Sequence, residues 1–137
     1  MIRRIMSYRP TALLGQETAA ALLVRRIGGA ISIPAFSLPK TGDFLPPEDG
    51  DMSRAVLVED NVITAQSIRE ALGSLRQAPA TPIRAITLFD SSGGQAQDFN
   101  EIPIEAVYDV GVRVWDPQTC ICLGTLAGDR AGVEVTR

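Results

Sequence analysis

The chain has 137 residues, nearly half of them apolar but few aromatic, which suits one domain spanning residues 1–137 that buries about two-thirds of its unfolded surface. The net charge is −3 and no basic cluster exceeds the pairs Arg3-Arg4 and Arg25-Arg26, so the sequence gives no support for nucleic-acid binding. No apolar run approaches a membrane span or a signal-peptide core, and we therefore expect a cytoplasmic protein with no membrane partner.

The first predicted elements form a strand–helix–strand unit. A strand is expected near Ala12–Leu14, and Gly15 permits a sharp exit from it. Thr18 is a suitable N-cap for a helix that runs to about Ile27. A second strand is expected near Ala30–Ile33, and the proline-rich stretch Pro34–Pro47 is predicted to be a loop.

The most informative stretch begins with the apolar run Ala55–Val58 and continues directly into Glu59 and Asp60. A run of this kind is typical of a central parallel strand, and open α/β sheets hold their ligands beyond the carboxyl ends of such strands. Thr64 and Ser67 then offer hydroxyl groups at the start of the next helix, where unpaired backbone N–H groups favour a phosphate. The layout predicts a site for a sugar phosphate.

The later elements complete an alternating pattern of strands and helices. Apolar spacing predicts a helix over residues 64–76, and Pro79 and Pro82 prevent its continuation. The next strand is expected at Ile83–Phe89, and its partial alternation suggests a position nearer an edge of the sheet. The turn-rich loop Asp90–Gly94 should lie at the ligand-facing end, and residues 102–108 and 110–115 should form one or two short strands. The order predicts an α/β, doubly wound, mostly parallel sheet.

Val62-Ile63-Thr64-Ala65, with the acids before it, resembles the phosphoribosylpyrophosphate (PRPP) motif of type I phosphoribosyltransferases, in particular the orotate branch. In the family, two acids hold the ribose hydroxyls and the following loop cradles the 5'-phosphate. The resemblance implies the first role for Asp60 with either Glu59 or Asn61, because two alignments one residue apart are both possible. It implies the second role for the segment Thr64, Ala65, Gln66 and Ser67.

A second resemblance lies upstream, in the family's order. The segment Gly15, Gln16, Glu17, Thr18 and Ala19 is similar to the family's pyrophosphate loop, which usually reads Gly-Pro-Glu-Thr-Gly-Gly. The chain departs from the family by having Ala19-Ala20 where paired glycines are usual, and Ala65-Gln66 where the phosphate loop generally has a glycine. Side chains therefore stand at both places where the ligand is expected to approach bare backbone.

Lys40 is the only lysine, and the chain has no histidine, which excludes acid–base work by an imidazole. Phosphoribosyl transfer does not need an imidazole, because positioning and electrostatics stabilise its transition state. By resemblance, Lys40 pairs with the departing pyrophosphate and acts with Glu59 and Asp60 in catalysis, while Mg2+ bridges pyrophosphate and ribose oxygens. Lys40 can equally be a solvated loop residue.

The family resemblance implies an enzyme that transfers ribose 5-phosphate from PRPP to a nucleobase and releases pyrophosphate, and that assembles as a homodimer. The alternative is a catalytically degenerate homologue that binds PRPP or a nucleotide in a regulatory or structural role. Only about ten residues precede the first core strand, so the family's base-gripping hood is expected to be reduced. Cys120 and Cys122 are expected to be reduced thiols, since their spacing suits neither a disulfide nor a complete zinc site.

Overall fold

The structure is a computed structural model, and it describes residues 1–16, 19–76, 78–93 and 101–110. These residues form three helices and five strands. The helices are α1 (Ile2–Ser7), α2 (Ala19–Ile31) and α3 (Gln66–Ser74), and the strands are β1 (Ala12–Gln16), β2 (Ala35–Leu38), β3 (Ala55–Val62), β4 (Pro82–Asp90) and β5 (Ile104–Asp109). Their order along the chain is α1-β1-α2-β2-β3-α3-β4-β5.

The five strands form one sheet in the order β2-β1-β3-β4-β5, and every pair of neighbours is parallel. The chain moves from β1 to β2 in one direction and from β3 through β4 to β5 in the other. The strand order therefore reverses between β1 and β3, which makes their carboxyl ends the topological switch point of the sheet. The predicted α/β fold with a parallel sheet is confirmed.

Helices cover both faces of the sheet, as expected for a doubly wound fold. Side chains alternate between the faces along each strand. On one face, α1 and α2 pack against β1, β3 and β4 in a cluster of Ile5, Leu13, Val24, Ile27, Val56, Val58 and Ile86. On the other face, α3 and the loop before β3 pack in a cluster that includes Ala12, Leu14, Phe44, Met52, Leu57, Ile68, Ala71, Leu75 and Ala85. Burial on both faces explains the continuous apolar runs of β1 and β3.

The predicted strand at Ala30–Ile33 is wrong, because α2 continues to Ile31. Ser32 then adopts a left-handed conformation with φ of 56°, and the Ile33 N–H donates to the Gly28 carbonyl oxygen at 3.0 Å. Both features are typical of a helix C-terminus. The strand lies at Ala35–Leu38 instead, inside the segment predicted to be a loop.

The strand β4 lies second from one end of the described sheet, between β3 and β5, so it is nearer an edge than β3, as predicted, without being the edge strand itself. One other prediction needs correction. The helix predicted over residues 64–76 is shorter, Gln66–Ser74. The N-terminal helix α1 was not predicted. It is joined to β5 by two contacts with the Glu105 carboxylate: the Tyr8 hydroxyl, just after α1, donates to Oε2 at 2.6 Å, and Arg4 Nη1 lies 3.3 Å from Oε1. Most of the strand predicted at 110–115, and both cysteines, lie outside the described residues.

Candidate functional site

The pairing between β1 and β3 stops short of the carboxyl ends of both strands, and we refer to this switch point as the crevice. The last paired residues of these two strands are Leu14 and Leu57. Beyond that pair, β1 continues only to Gln16, whereas β3 runs on to Val62 and stays paired with β4 as far as Asp90. In open α/β sheets a crevice at this position is where ligands bind. The described residues Gly15 and Gln16 of β1, and Glu59 and Asp60 of β3, therefore lie at the same switch point of the sheet.

Glu59 and Asp60 lie on β3 beyond its last pairing with β1, and both are half-buried. Successive strand residues point to opposite faces, so Glu59 shares the face of Leu57 and α3. The pKa of Glu59 is raised to about 7, chiefly by burial; a hydrogen bond from the Ser67 hydroxyl opposes the rise, and the neighbouring charge of Asp60 adds to it. Near neutral pH the site can thus exchange a proton at Glu59.

The loop from β3 to α3 brings backbone N–H groups to the same edge of the sheet. Ala65 is the N-cap of α3, with φ of 56° and no capping hydrogen bond from its side chain. Thr64 and Gln66 are exposed, and the Gln66 amide donates to Glu70 at 3.0 Å. The first turn of α3 is therefore held by its backbone and by the Ser67–Glu59 hydrogen bond, and its N-terminal N–H groups have the orientation that favours an anion.

Residues after β4 complete this edge and were not predicted as site residues. The Ser91 hydroxyl donates to Asn61 Oδ1 at 2.8 Å, and the Ser91 N–H donates to the Val62 carbonyl oxygen at 2.8 Å. Buried Asp90 accepts the Ser92 N–H at 2.8 Å. The contacts fix the orientation of the Asn61 carboxamide. The turn-rich loop was the only signal in the sequence, and it located this segment at the correct end without revealing the contact with Asn61.

The predicted pyrophosphate loop is only partly described, because Glu17 and Thr18 lie outside the described residues. Gly15 is buried at the end of β1, where an added Cβ would lie 2.6 Å from the Ala20 carbonyl oxygen. The packing of α2 against β1 therefore requires a glycine here, whether or not a ligand approaches it. Gln16 is buried and Ala19 is exposed.

Lys40 is exposed and follows β2 by two residues, so it lies at the same edge of the sheet as the crevice. The loop that carries it is anchored further along, where Phe44 is buried and its N–H donates to the Ser74 carbonyl oxygen at 2.9 Å. Met52 is also buried in the core. The structure thus places Lys40 on the rim, on a segment whose later part is packed against α3.

Neither a metal cluster nor a membrane-spanning helix is found in the described part of the chain. Its residues form no group of three or more histidine, cysteine, aspartate or glutamate side chains suited to a metal. Within the same residues, no helix is both long enough and apolar enough to cross a bilayer. A separate cleft of about 360 Å³ lies along the later part of α3 and is lined by Arg69, Leu72, Arg76 and Ile102 among others, away from Glu59 and Asp60.

Among known proteins, the chain is similar to phosphoribosyltransferases. No family model matches the chain. Over 89 residues it is 40% identical to the orotate phosphoribosyltransferase of Methylobacterium sp. (strain 4-46), which covers 60% of this chain and 40% of that protein. The chain spans about half the length of the curated relatives it matches, between 40% and 55%.

Solved structures agree on the fold. The orotate phosphoribosyltransferase of Aeropyrum pernix superimposes with a TM-score of 0.63 at 21% identity, covering 74% of this chain and 60% of that one. The adenine phosphoribosyltransferase of Thermoanaerobacter pseudethanolicus gives a TM-score of 0.64 at 14% identity, covering 78% and 74%. The fold that the two sequence motifs predicted is the fold of these proteins.

Proposed function

The chain is a homologue of orotate phosphoribosyltransferases with the type I phosphoribosyltransferase fold, and on this premise we propose that it transfers ribose 5-phosphate from PRPP to a nucleobase. In this reaction the bond from the anomeric carbon to pyrophosphate breaks and a bond from that carbon to a base nitrogen forms. Pyrophosphate leaves, and the product is a nucleoside 5'-monophosphate.

The observation that supports the proposal most is the arrangement of strand ends and helix N-terminus at the switch point. On one side β3 carries Glu59 and Asp60 beyond its last pairing with β1, and the chain then enters the N-terminus of α3. Carboxylates accept hydrogen bonds from sugar hydroxyls, and helix N-termini attract phosphate. The two halves of a ribose 5-phosphate therefore match two consecutive segments of the chain.

We assign roles to residues on this basis and on the family resemblance. Asp60, with Glu59 or Asn61, holds the ribose hydroxyls, and Thr64 to Ser67 hold the 5'-phosphate. The segment from Gly15 to Ala19 and the rim residue Lys40 face the pyrophosphate. A cation on the rim stabilises the charge that develops as pyrophosphate leaves, which requires no histidine.

The residues present fit Mg2+ in the manner that this reaction requires. Magnesium is usually held by one or two carboxylates together with substrate phosphates and waters, and not by a cage of protein ligands. Glu59 and Asp60 supply two carboxylates, and the described residues contain no larger cluster. When bound, Mg2+ would neutralise pyrophosphate charge, and these side chains would orient the ribose.

We propose only the class of the acceptor, a nucleobase, because solved structures with this fold include proteins named for both orotate and adenine. The chain also spans only about half of its curated relatives, so the part that grips the base is assigned to no described residue. We also propose, from the family resemblance, that the protein is a homodimer and lies in the cytoplasm.

The proposal is tested by incubating the protein with PRPP, Mg2+ and each of orotate, uracil, adenine, guanine and hypoxanthine, and measuring pyrophosphate and nucleoside monophosphate. One base should give equal amounts of both products, and Asp60→Asn should abolish them. Binding of PRPP without product from any base would support the alternative, a degenerate binding homologue. The comparisons do not favour that alternative.

A further inference from the structure

The cleft of about 360 Å³ beside α3 is a separate feature of the fold. Its lining residues are Arg69, Leu72, Gly73, Arg76, Glu101 and Ile102. The volume falls within the roughly 300–1,000 Å³ that is usual for sites of small molecules. None of the roles assigned above to the ends of β1 and β3, or to the loop between β3 and α3, involves these residues.

Helical spacing separates the cleft from the residues assigned to ribose 5-phosphate. Ser67 bonds Glu59 on one side of α3. Because successive helix residues are rotated by about 100°, Arg69 points to roughly the opposite side from Ser67. The other helix-borne residues of the cleft follow Arg69 by three, four and seven positions, and the chain is still turning at Arg76, whose N–H donates to the Gly73 carbonyl oxygen at 3.3 Å. They therefore share the side of Arg69 and face away from Glu59.

The charges and the apolar wall of the cleft favour an organic anion. Arg69 and Arg76 are exposed, and Glu101 is the one acid among the described residues that line the cleft. A guanidinium has five N–H donors in a plane that matches carboxylate and phosphate oxygens, so it can keep a contact within the protein and still donate to a ligand. Leu72 and Ile102 are half-buried and pack against the core, so they offer the apolar surface.

Gly73 leaves space in the cleft that another residue could fill. A Cβ added to it would meet no heavy atom of the described residues within 4 Å, and its φ is not positive. Alanine would therefore fit here, and alanine is the better helix former. Neither packing nor backbone conformation requires a glycine at this position, whereas a ligand seated over this turn of α3 needs the open space.

We propose that the cleft is a second ligand site that binds a small organic anion, with a phosphate or carboxylate held by Arg69 and Arg76 and an apolar group against Leu72 and Ile102. The two arginines lie about two helical turns apart, roughly 10 Å, a span across which their long side chains can converge on one anionic group. The site goes beyond the proposed function, since it shares no residue with the PRPP site.

An NMR titration of isotope-labelled protein locates the ligand. The probes are phenyl phosphate, benzoate and inorganic phosphate, which differ in the type of anionic group and in the presence of an apolar ring. In wild type, phenyl phosphate should shift the N–H signals of Gly73 and Ile102 more than that of Asp60. Inorganic phosphate should bind more weakly because it lacks the ring. The order of phenyl phosphate and benzoate tells which anionic group the site prefers.

Substitutions in the lining should change the affinity in opposite directions. Arg69→Gln and Arg76→Gln each remove a charged donor and should weaken phenyl phosphate binding about tenfold. Glu101→Gln removes a repelling charge and should strengthen it. Gly73→Leu fills the cleft and should abolish binding without loss of the fold, because leucine favours a helix more than glycine does. Arg26→Gln, at an exposed position of α2 on the other face of the sheet, is the matched control and should bind as wild type.

Three results would overturn the inference. The first is no shift at Gly73 or Ile102 of wild type with any probe, or shifts confined to the switch point. The second is equal affinity of Arg76→Gln and Arg26→Gln, which would show a general attraction between charges. The third is weaker binding by Glu101→Gln. Wild type that binds phenyl phosphate in the cleft but does not bind PRPP with Mg2+ would refute the proposed function alone.

Discussion

Replacement of Glu59 by glutamine should change how the stability of the protein depends on pH. The pKa of Glu59 is raised from 4.5 to about 7, mainly by burial. Between these values the native protein holds a proton that the unfolded chain has released. The stability that Glu59 contributes is therefore fully present below pH 4.5 and is lost as pH rises through about 7.

The size of the effect follows from the shift. At about 1.36 kcal/mol per pKa unit, the shift to about 7 corresponds to about 3 kcal/mol between pH 4.5 and pH 8. Because the side chain is only half-buried, solvent screening reduces this figure, and we expect about 1 to 2 kcal/mol. In the Glu59→Gln variant, the new carboxamide would still accept the Ser67 hydrogen bond but would not titrate.

Urea unfolding of wild type and Glu59→Gln at pH 5, 6, 7 and 8 measures this difference. Wild type should lose about 1 to 2 kcal/mol relative to the variant across that range. Glu70→Gln, which removes an exposed carboxyl from α3, serves as the matched control and should follow wild type. Parallel pH profiles for wild type and Glu59→Gln would refute the assignment of a buried, proton-holding Glu59.

Three further predictions concern the segments around the crevice. Gly15→Ala should reduce the free energy of unfolding by about 1 to 3 kcal/mol, because its Cβ would overlap a backbone oxygen of α2. Gly29→Ala, whose Cβ would meet nothing within 4 Å, should raise that free energy by up to about 1 kcal/mol. Urea unfolding that shows Gly15→Ala to be the more stable of the two variants would contradict this. The free energy of unfolding of Ala65→Gly should lie within about 1 kcal/mol of the wild-type value, because relief of the left-handed backbone offsets the lost methyl group. Ala71→Gly, within α3, should lower the free energy of unfolding by about 2 kcal/mol. Equal losses of stability in the two variants would disprove the backbone strain at Ala65. Calorimetric affinity for PRPP with Mg2+ should rise from pH 6 to pH 8 in wild type but not in Glu59→Gln, and a flat wild-type profile would exclude an ionised Glu59 from the contact.

The central strands were predictable because their signals are local. The apolar runs of β1 and β3 reflect burial on both faces, and the apolar spacing of α3 reflects one face packed on the sheet. The position of the acids at the carboxyl end of β3 followed from the run before them. The type of fold could therefore be predicted from residues 12–90.

Features that depend on contacts between distant segments could not be predicted. The four-residue strand β2 has little pattern of its own, and its position depends on pairing with β1. The pairing of β4 with β5 joins two strands that are separated by a long stretch of sequence. The contact between Ser91 and Asn61 joins residues thirty positions apart.

The central claim is that the end of β3 forms a ribose-phosphate site, and the most direct measurement is the melting temperature of wild type and Asp60→Asn with PRPP plus Mg2+. A ligand at about a hundred times its Kd stabilises the native state by about 2.7 kcal/mol. The wild-type melting temperature should therefore rise by several degrees, and that of folded Asp60→Asn should not change. An equal rise in both proteins, or none in folded wild type, would contradict the claim.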